Sequence, residues 1–125
     1  MPTLKQVLIV EDNTQRIAAW KSELNRYSQQ INIVVAESIE DARSEFQKNP
    51  TPDLIVMDCC VPGDDPNTMD LVKEIRENYR GPILANSSAG AFYTDKLIRA
   101  GASHACSKGW VPKEILKLLG IQPAP

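Results

Sequence analysis

The sequence predicts an α/β domain built as a doubly wound, five-stranded parallel sheet, and three observations carry the prediction. Strand-like and helix-like periods alternate five times along the 125 residues. The strand-like runs are short and almost continuously apolar, as strands buried on both faces are. Polar or charged residues close most of these runs, and open parallel sheets bind ligands beyond the carboxyl ends of their strands. Five βα units in series imply right-handed crossovers, with helices covering both faces of the sheet.

The first strand is residues 7–10 (VLIV), closed by Glu11-Asp12. Ile17, Trp20, Leu24 and Tyr27 then recur at three- and four-residue spacing, the stripe of an amphipathic helix. Residues 31–36 read as the second strand. Ser38, with Asp41 three residues on, resembles a capping box that opens a helix carrying Ile39, Ala42 and Phe46, and Asn49-Pro50-Thr51-Pro52 ends it. Residues 54–57 (LIVM) form the third strand and close on Asp58. Val72, Ile75 and Tyr79 mark the third helix. The fourth strand, residues 83–85, leads into Asn86-Ser87-Ser88. Residues 92–100 have the weakest helical period, with only Leu97 and Ile98 directed inward, so this helix is expected to be the least stable element. Residues 103–106 form the fifth strand, followed by Lys108. Ile115, Leu116, Leu118 and Leu119 give the last helix its apolar face, and Trp110 is expected to anchor it.

Composition narrows the function. With 42% hydrophobic and 24% charged residues, the chain is expected to be one domain over residues 1–125, with a core spanning about 5–120 and a short tail at 121–125. The net charge of -2 and scattered Lys and Arg give no basic stripe, which argues against direct nucleic-acid binding. No apolar run approaches the ~20 residues of a membrane span, and the first residues lack the apolar core of a signal peptide, so no membrane partner and a cytoplasmic location are expected. Cys59, Cys60 and Cys106 lie in or beside apolar segments without zinc-site spacing and read as buried free thiols. His104 reads as a surface or edge-strand residue.

The acidic residues are the chemical signal. Glu11, Asp12 and Asp58 close two buried strands, and like charges so placed repel unless a cation or a proton joins them. An acidic pocket for a metal is the expectation. Ser87 and Lys108 follow the fourth and fifth strands and converge on the same edge.

The chain resembles the receiver domain of two-component response regulators in residues 5–13 (KQVLIVEDN), 53–63 (DLIVMDCCVPG), 82–88 (PILANSS) and 101–108 (GASHACSK). The resemblance implies a flavodoxin-like fold with strand order 2-1-3-4-5. It implies that Asp58 accepts a phosphoryl group from a histidine kinase or phosphotransfer protein, with Glu11 and Asp12 helping to hold Mg²⁺. Ser87 takes the place of the family's Thr/Ser switch residue and Lys108 that of its lysine. The chemistry is coherent, because a carboxylate attacks an anionic phosphoryl group only when cations neutralise the non-bridging oxygens. Asp12 and Asp58 would hold Mg²⁺ directly, Glu11 would act through a bound water, and the backbone carbonyl of Cys60 would complete the sphere. Lys108 would supply a second, mobile charge. Ser87 would donate to an oxygen present only after phosphorylation, favouring one conformation.

Three departures from the family bear on signal transmission. Ala105 stands where many receivers carry an aromatic ring, Gly109 replaces a proline and is expected to loosen the loop after the fifth strand, and residues 62–71 form a connection two residues longer than usual, with Thr68 in place of a glycine. The expected module is not an enzyme and signals through phosphorylation-dependent binding of a downstream protein. No output domain follows the fifth helix within these residues. Two other readings stay open: a phosphorylation-independent interaction domain on the same fold, and a phosphatase of the haloacid dehalogenase type. The phosphatase wants a second Asp where Cys60 stands. A nucleotide-binding α/β domain is disfavoured, since Glu11-Asp12-Asn13 would repel a phosphate.

Overall fold

The computed structural model describes residues 3–61, 66–88 and 90–123. Its strands are β1 (Lys5–Val10), β2 (Ile31–Ala36), β3 (Leu54–Asp58), β4 (Ile83–Ser87) and β5 (His104–Ser107), joined in one parallel sheet of order β2-β1-β3-β4-β5. Between and after them run α1 (Thr14–Leu24), α2 (Ile39–Lys48), α3 (Met69–Arg76), α4 (Ala91–Ala100) and α5 (Val111–Leu119). Chain order reverses between β1 and β3, which places the switch point of the sheet between Glu11 and Asp58.

Side-chain alternation divides the apolar residues into two cores. Val7, Ile9, Leu54, Val56 and Leu84 pack under Trp20 and Leu24 of α1 and Val111, Ile115 and Leu116 of α5. Leu8, Val10, Ile55, Met57, Ile83 and Ala85 pack under α2, α3 and α4 through Ala42, Leu71, Val72, Ile75 and Leu97. Burial on both faces is why β1, β3 and β4 read as unbroken apolar runs.

Local signals set the helix ends. Asn13 Oδ1 accepts from Arg16 N at 3.0 Å, and Ser38 Oγ from Asp41 N at 3.0 Å, so both helices start on side-chain caps. The cap of α1 is thus Asn13 rather than Glu11 or Asp12. Gly120 closes α5 in the left-handed region, φ 71°, while Ile121 N donates to Leu116 O at 2.9 Å.

Several expectations need correction. The stripe through Tyr27 is not one helix, because Asn25–Tyr27 tightens into a 3-10 turn. Tyr79 lies beyond α3, where its hydroxyl donates to Pro52 O at 2.9 Å. β5 is an edge strand with mostly exposed residues rather than one buried on both faces; Ser103, His104 and Ser107 were the sign of that. Ile98 is exposed, and Thr94, Leu97 and Ala100 make the inner face of α4 instead. Trp110 is 55% exposed and does not anchor α5, a task that falls to Val111, Pro112 and Ile115. Of the cysteines Cys59 is buried, whereas Cys60 and Cys106 are only half-buried; none is joined in a disulfide. His104 is exposed on the edge strand, as expected. Among the described residues no helix is long and apolar enough to cross a membrane.

Candidate functional site

Each chemical side chain reaches the site from the end of a strand, and Glu11, Asp58 and Ser87 from the ends of strands buried on both faces. In a strand buried on both faces, hydrophobic packing fixes every position up to the last, and the first polar residue falls at the rim. Glu11 follows β1, Asp58 ends β3, Ser87 ends β4 and Lys108 follows β5. The registers Val10 with Met57, Asp58 with Asn86 and Ser87 with Ser107 bring these ends level. A cleft of about 500 Å³ opens there, its wall including Glu11, Asp12, Asp58, Cys60, Ser87 and Lys108.

The cation that joins the buried carboxylates is Lys108. Its Nζ lies 2.5 Å from Glu11 Oε1 and 3.0 Å from Asp58 Oδ1, and all three residues are buried. Glu11 Oε2 also accepts from Asp12 N and Asn13 N, both at 3.1 Å, so both oxygens of Glu11 are engaged. Asp58 Oδ1 additionally accepts from Cys60 N at 3.4 Å.

The two acids therefore differ. Burial raises the proton affinity of Glu11, but the Lys108 hydrogen bond and charge, together with the Asn13 N–H, outweigh it and hold the carboxyl below its ordinary value. Burial dominates at Asp58, with the Lys108 charge opposing and the Glu11 charge adding, and its carboxyl is pushed up to about 6. Both remain largely ionised at neutral pH. Burial likewise pushes the Cys59 thiol up to about 12 and that of Cys106 to about 11, so neither is a thiolate nucleophile.

Lys108 is itself held in place. Trp20 Nε1 donates to Lys108 O at 3.2 Å, Val111 N donates to the same carbonyl, and Nζ sits 5.6 Å from the centroid of the Trp20 ring. The residues Lys108–Trp110 form one 3-10 turn. Gly109 sits inside this turn.

Behind Asp58 a second set of contacts fixes its backbone. Thr68 is fully buried, with its hydroxyl 2.7 Å from Asp58 O and 3.0 Å from Cys59 O. Asn67 Oδ1 accepts from Val61 N at 2.9 Å and its Nδ2 donates to Val61 O at 2.8 Å, clasping the two ends of the long connection together. Residues Pro62, Gly63, Asp64 and Asp65 of that connection lie outside the described residues, as does Ala89 after Ser88.

Glu11, Asp12 and Asp58 offer carboxylate oxygens that all lie within 4.8 Å of one another. A hard, oxygen-seeking divalent cation fits that donor set. Ser87 is buried and lines both this cleft and a groove of about 390 Å³ between α4 and β5. Ala105 lines the groove and contributes only a methyl group.

Sequence reasoning placed Glu11, Asp12, Asp58, Ser87 and Lys108 at one edge, and the fold brings them together there. It did not find the Lys108 to Glu11 contact, the anchoring role of Trp20, the hydroxyl of Thr68, or Asn86. Asn86 is 1% exposed, and neither Oδ1 nor Nδ2 has a partner. An amide buried so costs about 1–3 kcal/mol. Its polarity within an otherwise apolar strand was the available signal.

Comparison with known proteins bears on the same residues. The family model described as the response regulator receiver domain matches residues 7–120. The Fimbriae Z protein of Salmonella typhimurium is 36% identical over 80 residues, which cover 62% of this chain and 38% of that protein. The chain thus matches well under half the length of that relative. Among solved structures, the BeF3-activated N-terminal receiver domain of RstA from Klebsiella pneumoniae superposes with a TM-score of 0.75 at 24% identity, over 92% of this chain and 95% of that one. A two-component response regulator from Clostridium difficile gives 0.77 at 19% identity over 93% and 96%. A Burkholderia pseudomallei response regulator with a phosphorylated aspartic acid, calcium ion and citrate gives 0.76 at 17% identity over 92% and 66%.

Proposed function

The chain belongs to the response regulator receiver domain family, and from that premise we propose that it is a signalling module switched by Mg²⁺-dependent phosphorylation of Asp58, with a histidine kinase or phosphotransfer protein as donor. The observation that carries the reading is the state of Asp58, a buried strand-end carboxylate at the switch point with an ammonium 3.0 Å away, facing an open cleft.

Asp58 attacks phosphorus, and the donor's bond to phosphorus breaks as the new O–P bond forms. With its carboxyl at about 6, Asp58 is mostly ionised at pH 7 and serves as a nucleophile without a general base. Asp12 and Asp58 would hold Mg²⁺ together with the Cys60 carbonyl, and the bound ion would neutralise phosphoryl oxygens. Glu11, with both oxygens engaged by Lys108 and backbone N–H groups, supports that site indirectly, through water and by fixing Lys108. Lys108 is poised to leave Asp58 for the incoming phosphoryl oxygens while its contact with Glu11 persists.

Ser87 lies where the two openings meet, and its hydroxyl would bind a phosphoryl oxygen. The response would then pass through residues 88–91 into α4, and the face made by α4, β5 and α5 would bind a downstream protein. Ala89, on that route, lies outside the described residues. Exposed Phe92 and Trp110 give this face apolar anchors.

Incubation with Mg²⁺ and acetyl phosphate, followed by intact mass, tests the reading. The chain should gain one phosphoryl mass, and Asp58→Asn should gain none. Equal labelling of the Asn variant refutes the assignment, and no labelling of the unaltered chain favours a phosphorylation-independent interaction domain.

A further inference from the structure

Asn86 stands beside Asp58 on the neighbouring strand, paired with it across the sheet, and with Cys106 on its other side. Strand partners send their side chains to the same face, with backbones about 4.8 Å apart. That face is the one covered by α1 and α5, since Leu84, two residues earlier, packs with Trp20, Val111 and Ile115. Among the described residues, only Asn86 has buried side-chain polar atoms without a partner. An apolar residue would have continued the Leu84 packing, so the amide is kept at a cost in stability, next to the acceptor carboxyl.

We propose that Asn86 is a further catalytic residue, an amide idle in the resting protein that donates to the acyl oxygen of Asp58 once that residue is phosphorylated. The inference rests on Asp58 being the acceptor. In the resting state Asp58 Oδ1 is occupied by Lys108 and the Cys60 N–H. Phosphorylation turns one carboxyl oxygen into the bridge to phosphorus and draws Lys108 toward the phosphoryl group; the other oxygen, which would also face the metal held by Asp12 and Asp58, keeps a second lone pair for the neighbouring amide. The proposal requires Nδ2 to turn toward Asp58, by rotation about χ1, across one strand spacing.

The consequence lies in hydrolysis. Water attacks phosphorus, the bond from phosphorus to the Asp58 oxygen breaks, and its electron pair returns to the carboxylate. The water's proton leaves with phosphate or solvent. Negative charge grows on the carboxyl group along this path, so a donor at the acyl oxygen binds the transition state more tightly than the neutral acyl group. Asn86 therefore shortens the life of the phosphorylated state.

Asn86→Leu, of similar volume, tests this. The variant should fold with equal or higher thermal stability, label with acetyl phosphate, and lose its phosphoryl group about tenfold more slowly once the donor is removed. Decay at the wild-type rate, with labelling intact, overturns the role of Asn86 alone. Absence of labelling in the wild-type chain overturns the Asp58 assignment and this inference with it. A measurement on the unaltered sequence complements the variant: the Asn86 side-chain amide protons should shift and gain exchange protection in ¹H–¹⁵N spectra when beryllofluoride and Mg²⁺ are added. Resonances that stay unmoved overturn the proposal.

Discussion

Replacing Asp58 by Asn should stabilise the metal-free protein, although it removes an ion pair. The carboxyl is raised from its ordinary 3.8 to about 6 by burial, with the Glu11 charge adding and the Lys108 charge only partly offsetting. At about 1.4 kcal/mol per tenfold change in proton affinity, the ionised native state carries a penalty of about 3 kcal/mol at neutral pH. Because the folded value lies above the unfolded one, the stability contributed by proton uptake is complete below about 3.8 and lost as pH rises through about 6. Asn carries no such charge, and Lys108 keeps its partner Glu11 at 2.5 Å. In EDTA at pH 8, Asp58→Asn should melt roughly 10 °C above the unaltered chain, and the gap should close as pH falls from 7 to 4. Glu11 has the opposite sign, stabilising above its ordinary 4.5 and losing that contribution as pH falls through its lower folded value. It is present in both proteins, and only the part of its shift that comes from Asp58, the smallest of its causes, enters the difference. Thermal melts followed by circular dichroism across that pH range decide the matter. A variant that melts at or below the unaltered chain at pH 8, or a gap indifferent to pH, would refute the claim that burial outweighs the Lys108 attraction at Asp58.

Three further outcomes are expected. Lys108→Met leaves Glu11 and Asp58 buried without their cation, so urea denaturation at pH 8 without metal should show a loss of about 3–5 kcal/mol, partly recovered at pH 5 as the carboxyls take up protons. Thr68→Val removes a buried hydroxyl and leaves its backbone acceptors short of one donor, which should cost about 1–3 kcal/mol, whereas Thr68→Ser should lose much less. With beryllofluoride and Mg²⁺, amide exchange should change most over residues 87–100, and Ser87→Ala should suppress that change while Asp58 still labels with acetyl phosphate; a persistent change, or one centred on residues 63–70, would redirect the output surface to the long connection.

The sheet was legible because β1, β3 and β4 are buried on both faces and leave unbroken apolar runs that end on polar residues. The convergence of Glu11, Asp58, Ser87 and Lys108 follows from strand ends alone, which is why it could be read without coordinates. What escaped depends on distances between residues far apart in sequence. Lys108 and Glu11 are separated by 97 positions, and nothing local assigns the ammonium to both carboxylates. Ile98 and Trp110 are apolar yet exposed, because apolar character does not by itself imply burial and the α4 and β5 edge leaves large side chains in solvent. Nothing local to Gly109 shows that the Trp20 indole donates to the carbonyl of the preceding Lys108. Thr68 stands out in the sequence as a departure from glycine, but its hydroxyl's acceptors lie 9 and 10 positions away and are fixed only by the tertiary turn.

The placement of Trp20 gives this protein a built-in optical reporter. Of its two tryptophans, Trp20 is buried against the Lys108 ammonium and bonded to the Lys108 carbonyl, while Trp110 is exposed beside Lys113. Indole emission responds to nearby charge, so movement of the Lys108 ammonium registers in Trp20 fluorescence without an attached dye. Changing Trp110 to Phe removes the exposed emitter at a site that contributes little to the core. The remaining single indole would let metal binding, acceptor labelling and turnover be followed in real time, in the same cuvette and on the protein's own sequence.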